Sequence, residues 1–227
     1  MSSVVIQSHN ARGAAPEAVR IPEWARGSLA SFRRWATSDD FPERGWYAYL
    51  EGDLWVDLSM ETLGHNQVKT KIGAVLTLLA DDAGIGRFLG DRMRLTNVDA
   101  ELSTQPDGMF ISDEAVKRGR VRLEQGEESL EVQGTPDMVL EVVSPTSEEK
   151  DTVILRDLYW RAGVPEYWLA DPRGDAVAFD ILRRGRKGYA AARKQAGWVK
   201  SSVFGKSFRL TRRDDAKGYP VYALHVK

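Results

Sequence analysis

Two Pro-Asp pairs and one glutamate carry most of the chemistry that can be read from this chain. The pairs are Pro106-Asp107 and Pro136-Asp137, and the glutamate is Glu141, the one polar residue in the run Met138–Val143 (MVLEVV). A carboxylate inside a buried strand costs several kcal/mol unless it is paired, protonated or bound to a metal. Glu141 is therefore either half of an ion pair or a metal ligand. Asp137 lies four residues earlier on the same strand, roughly 13 Å away at about 3.3 Å per residue. A small cation with oxygen ligands at about 2.1 Å cannot take both. Asp137 then reads as a cap at the strand start, with a supporting part in the site at most. The partner carboxylate must come from another strand. Asp107 supplies it, unless it only forms the turn before Gly108. Two carboxylates on adjacent strands suit Mg²⁺ or Mn²⁺, an ion that polarises a phosphate and lowers the pKa of bound water.

Three further groups are candidates. His65 falls on the inward stripe of a helix, near its start. Metal neighbour, proton carrier, phosphate contact and satisfied structural residue are all open to it. Lys150 starts a second helix, as a solvated first-turn lysine or as an ammonium reaching the carboxylates. Arg183, Arg184, Arg186 and Lys187 form a basic turn around Gly185. Such a turn either tracks a phosphate backbone or is a solvated hairpin tip.

The elements that must position these groups follow from periodicity and turn signals. Trp24–Trp35 reads as a short helix. Tyr47–Leu50 and Leu54–Val56 flank Glu51-Gly52 as a hairpin. Val68, Ile72, Val75, Leu76 and Leu79 recur at helical spacing and predict a helix over 61–82, stopped by Gly84. Arg87–Leu95 and Met109–Ile111 read as strands, and Arg120–Leu123 with Ser129–Val132 as a hairpin. MVLEVV is apolar on both faces except at Glu141, as a central strand should be. Ser147–Ala162 reads as a helix opened by a Thr146/Glu149 capping box, and Tyr167–Ala170 as the next strand. The β-rich runs after Ala176 suggest a terminal meander. The order describes a mixed α/β fold around one sheet, with a flexible tail over 1–20 and a single domain over 21–227.

Composition narrows the function classes. Net charge is -1, which gives no bulk basic character but leaves room for a local basic face. There are no cysteines, so disulfides and thiolate metal sites are excluded, and a cytoplasmic setting is expected. No apolar run suits a spanning helix, so no membrane partner is expected. No G-x-S-x-G nucleophile motif supports a small-molecule hydrolase.

The stretches PDGMFIS (106–112), GTPDMVLEVVSPTSEEKDTVILRDLYWRAGVPEYWLADP (134–172) and LEGDLWVDLSMETLGHNQVKTKIGAVL (50–76) together resemble the bacterial Uma-type family. That family belongs to the PD-(D/E)XK superfamily of restriction-endonuclease-like proteins. The resemblance runs from Tyr47 to Pro172 and implies a nuclease-like core with a C-terminal β meander. It implies a metal held by Asp107 and Glu141, with the carbonyl of Val142 as a further ligand. The superfamily lysine two residues after the glutamate is here Val143, and a later helix position used by relatives is Leu155. Lys150 is the remaining candidate, to stabilise charge or orient water. An acid common in the first hairpin is replaced by Ala48, with Glu51 and Asp53 nearby. The expectation is a Mg²⁺- or Mn²⁺-dependent endonuclease acting on DNA, as a homodimer by default. The alternative is a catalytically inactive nuclease fold that binds nucleic acid or a protein partner.

Overall fold

The computed structural model describes residues 4–7 and 20–227. Strand β1 (Val4–Gln7), a 3-10 turn (Glu23–Arg26) and α1 (Leu29–Ala36) lead to the hairpin β2 (Trp46–Leu50) and β3 (Asp53–Asp57). Helix α2 (Leu63–Ala83) follows, then β4 (Gly86–Gly90), β5 (Arg94–Asn97), β6 (Leu102–Thr104) and β7 (Gly108–Ser112). After α3 (Asp113–Lys117) come β8 (Val121–Arg122), β9 (Glu131–Gly134) and β10 (Met138–Val142). A π-helical turn (Lys150–Ile154) runs into α4 (Leu155–Arg161), and β11 (Glu166–Asp171) returns parallel to β10. The chain ends with β12 (Ala178–Gly185), β13 (Gly188–Ala191), β14 (Lys194–Gln195), β15 (Trp198–Lys200), β16 (Ser207–Asp214) and β17 (Pro220–Val226).

The central sheet has the order β13-β12-β11-β10-β7-β4, with β10 in its interior. Its two faces explain the MVLEVV pattern. Leu140 and Val142 pack toward α2 and the C-terminal strands, while Val139 packs toward α4. Glu141 shares the α4 face by alternation. A second sheet, β1-β3-β2-β6-β5-β9-β8, closes the core over α4, and α1 covers the far face of its hairpin. Helix α2 is capped by the Thr62 side chain, which accepts from the His65 amide, and ends at Gly84 in the left-handed conformation (φ 58°).

Four expectations are corrected. Val4–Gln7, assigned to a flexible tail, is a strand paired parallel with β3, and the rest of 1–19 lies outside the described residues. The strand expected over Arg87–Leu95 is two strands in different sheets. It breaks at Arg92 (φ 73°), whose guanidinium donates to the carbonyls of Glu43 (2.6 Å) and Gly45 (3.1 Å). The Thr146/Glu149 capping box is absent. Ser144 and Ser147 instead bond each other's amides (2.9 and 3.1 Å), and the Thr146 hydroxyl donates to Asp57 (3.1 Å). The single sheet expected is three: the C-terminal antiparallel strands are present as a β14–β17 sheet of their own, β12 and β13 extend the central sheet, and the β2–β3 hairpin belongs to a third.

One ion cluster ties α1 to the second sheet. Glu131 accepts two hydrogen bonds at Oε1 and Oε2 from Arg33 Nε (3.1 and 3.2 Å), and one from Thr96 (2.8 Å). Arg94 is buried beside it, and burial pushes that guanidinium down to about 10 against the opposing field of Glu131. Glu131→Ala leaves both arginines short of their carboxylate. It is expected to cost about 3 kcal/mol, the scale for one broken partner of a buried pair, read as a lower midpoint in urea unfolding.

Candidate active site

The antiparallel register of β7 and β10 decides the geometry. Gly108 pairs with Leu140, so Asp107 falls opposite Glu141 and the two carboxylates enter one cleft. Asp107 Oδ2 accepts from the Val142 amide at 2.7 Å. The cleft, which is open to solvent, lies where α2, the β2–β3 hairpin and the π turn converge on these strand ends. His65 enters it from the first turn of α2. Its Nε2 is 3.4 Å from Asp107 Oδ2, and its Nδ1 is 3.6 Å from Glu61 Oε1. Lys150 and Asp151 enter from the π turn, with Lys150 Nζ 3.3 Å from Asp151 Oδ1.

The π turn has a visible effect on the site. The Leu155 amide donates to the Lys150 carbonyl five residues back, so one extra residue is accommodated before α4 begins. Asp151 is 1 % exposed and Leu155 is fully buried. Val143 is likewise in the core. Neither position expected for a lysine therefore has room to present one, and the cleft's ammonium is that of Lys150.

The electrostatics are those of an under-neutralised acid cluster. Burial, then the field of Asp151, pushes the Glu141 carboxyl well above its ordinary range, with Lys150 opposing. The Tyr159 hydroxyl donates to Glu141 Oε1 at 2.6 Å. Burial also works to raise Asp107, but the His65 hydrogen bond and charge outweigh it and hold Asp107 below the usual carboxylate range. For Lys150, burial is outweighed by Asp151, Glu141 and Asp107, which hold the ammonium above the ordinary lysine range. His65 is raised too, because Asp107 overcomes its desolvation.

These residues fit a divalent cation. Ligand atoms of Glu61, His65 and Asp107 lie within 4.8 Å of one another. Buried Asp151 Oδ1 and His65 Nδ1 make no well-aligned hydrogen bond beyond their ion-pair neighbours Lys150 and Glu61. Oxygen donors with one imidazole are the set hard ions such as Mg²⁺ and Mn²⁺ accept. Asp107, Glu141 and Val142 line the cleft together, and Glu61 and His65 border Asp107.

Asp107, Glu141, Val142, Lys150 and His65 are thus brought together. Asp137 is not. It accepts from the Ser112 amide (2.8 Å) and from Arg120, and so fastens β10 to the end of β7. The basic turn is also remote. Arg183 is level with Met138 through Glu166, at the opposite end of the sheet from Glu141. Arg183 and Arg184 donate to the carbonyls of Lys200 (2.5 Å) and Trp160 (2.8 Å), while Arg186 and Lys187 are exposed at the tip.

Sequence reasoning missed Glu61, Lys69 and the inward role of Asp151. Lys69 pairs with Glu61 and with Asp91 (3.0 Å), and its Nζ is 3.9 Å from Asp107. The available signal was a lysine on the apolar stripe of α2, beside Val68 and Ile72.

The architecture is that of the restriction-endonuclease-like α/β proteins, with a carboxylate and lysine cleft at one end of the central sheet. A family model described as "Putative restriction endonuclease" matches residues 29–212, and the chain belongs to that family, Uma2. A solved structure described as a "putative nuclease" from Anabaena variabilis superposes with a TM-score of 0.60 at 19 % identity. The match covers 78 % of this chain and 90 % of that one, a likeness of fold. No curated protein matches.

Proposed function

We propose that this protein is a metal-dependent endonuclease that hydrolyses phosphodiester bonds of DNA. The observation that carries the reading is the meeting of Asp107, Glu141 and Lys150 in one cleft, from two adjacent strands and a π turn. Asp107 and Glu141 would hold Mg²⁺ or Mn²⁺, with His65 and Glu61 bordering. When bound, the ion supplies an activated water and polarises the phosphate.

The chain's own residues supply the rest. Water adds to phosphorus, one P–O ester bond breaks, and the leaving oxygen takes a proton. Before metal binds, the surrounding carboxylates hold the Lys150 ammonium above the ordinary lysine range. Its part is that of a charged donor to a phosphate oxygen or to the water. Asp107 stays ionised beside His65. Tyr159 fixes the rotamer of Glu141. Asp137 keeps a structural part only, in the pairing of β7 and β10.

The test is cleavage of supercoiled and single-stranded circular DNA with Mn²⁺, Mg²⁺ or EDTA. Metal-dependent nicking is expected, with Glu141→Gln and Asp107→Asn each reduced by about 10²-fold or more, the scale of losing one main electrostatic group. Metal-dependent cleavage that survives Glu141→Gln would overturn the assignment of the site.

A further inference from the structure

The β2–β3 hairpin has two unlike faces. Tyr47, Tyr49, Leu54 and Val56 pack into the core under α1. The other face carries Trp46, Ala48, Trp55 and Asp57, with Ala48 directly opposite Trp55 and Trp46 opposite Asp57. This face lines a shallow, half-open recess that shares Trp46, Asp57, Gln105 and Lys150 with the acidic cleft. Both tryptophans are only half-buried, so ring surface stays open. Ala48, directly opposite Trp55, puts only a methyl group beside that indole. The Arg92 guanidinium lies over the Trp46 ring, 5.4 Å from its centroid. Gln105 donates from Nε2 to the Arg92 carbonyl (3.2 Å), while its Oε1 is buried without a partner.

An aromatic slot with an unused amide acceptor, two residues from Asp107, has the chemistry of a nucleobase site. We propose that it holds one unstacked base of the strand being cut, so that the preferred substrate is single-stranded or locally unpaired DNA. The proposal rests on the nuclease reading. A base inside an intact duplex is stacked and paired on both sides and must be extruded at a cost before it reaches such a slot. An unpaired base bears less of that cost. Stacking on indole is tolerant of base identity, and the Gln105 oxygen can accept from a ring N–H or an exocyclic amine. The exposed tip at Arg186 and Lys187 lies at the other end of the sheet, so the slot and not that turn adjoins the reacting phosphate.

The experiment is an anisotropy titration of fluorescein-labelled oligothymidylate and of a blunt duplex, with Ca²⁺ present, on wild type, Trp46→Ala and Trp46→Phe. Wild type is expected to prefer oligothymidylate by about tenfold or more. Trp46→Ala should lose about that factor for oligothymidylate and little for duplex, the effect of removing one stacked base. Trp46→Phe keeps an aromatic face and should retain most of the preference, which a merely structural role for Trp46 would not reproduce. Equal binding of both probes, or a Trp46→Ala variant that behaves as wild type, overturns the slot. If metal-dependent cleavage persists in that case, the nuclease reading stands without it. Binding of neither probe by wild type overturns both.

Discussion

In EDTA at neutral pH, Glu141→Gln is expected to melt a few degrees above wild type, and millimolar Mn²⁺ or Mg²⁺ is expected to erase that advantage. The first half follows from linkage. Burial and Asp151 raise the folded carboxyl above its ordinary 4.5. Above that ordinary value the folded state binds the proton more tightly than the unfolded state does, so stability falls as pH rises from about 4.5 toward the folded value. At neutral pH wild type bears the penalty, and an amide of the same shape does not. Toward pH 4.5 the two proteins should converge. The second half follows from mass action. An ion at a hundred times its Kd adds about 2.7 kcal/mol, and a chain of this size moves about 2–4 °C per kcal/mol, so wild type should rise by about 5–10 °C. Glu141→Gln should hardly move. A carboxylate kept for stability would give the reverse: a lower melt for the variant in EDTA and no response to metal in wild type.

Replacing Lys150 by methionine is expected to damage both stability and turnover. Among the described residues its ammonium is the one positive group paired with Asp151 (3.3 Å), and it also feels Glu141 and Asp107. Leaving those buried acids without it should cost about 3 kcal/mol in a metal-free urea unfolding experiment. Added metal should recover part of that loss, because the ion neutralises the same carboxylates. Activity should fall by about 10²-fold or more even where metal restores the fold. Lys150→Arg keeps the charge but not the compact ammonium, so it should fold better than it cuts. Lys69→Met is the control. Lys69 is already engaged by Glu61 and Asp91, so its loss should lower stability more than turnover. The opposite ranking of the two lysines would move the charged donor to α2.

Buried strand glutamates show why the site was only partly legible. Glu141 and Glu166 are both almost fully buried, on neighbouring strands. Glu166 is satisfied by Trp168 Nε1 (3.0 Å), Ser201 Oγ (2.7 Å) and the amide and hydroxyl of Ser202 (2.5 and 2.8 Å). Glu141 has the Tyr159 hydroxyl and a ring of acids. Local pattern marked Glu141 because its strand is otherwise apolar. Apart from Trp168, the donors that make Glu166 inert come from Ser201 and Ser202, a loop 35 and 36 residues on, which no local pattern reports.

The amino-acid sequence by itself determined the mixed α/β class, the central strand and the need for a partner to its glutamate from outside that strand. Those depend on side-chain periodicity and on the cost of a buried charge, both local quantities. It also excluded Asp137 as a co-ligand of Glu141, since strand rise alone separates them. Only the tertiary structure decided that Asp107 stands opposite Glu141, through the β7–β10 register. It alone decided that Asp137 belongs to Arg120, that Lys150 turns inward and that Asp151 joins it. The π turn adds a residue that a 3.6-residue period cannot represent. A buried charge, moreover, is answered by whichever distant groups the fold brings within reach.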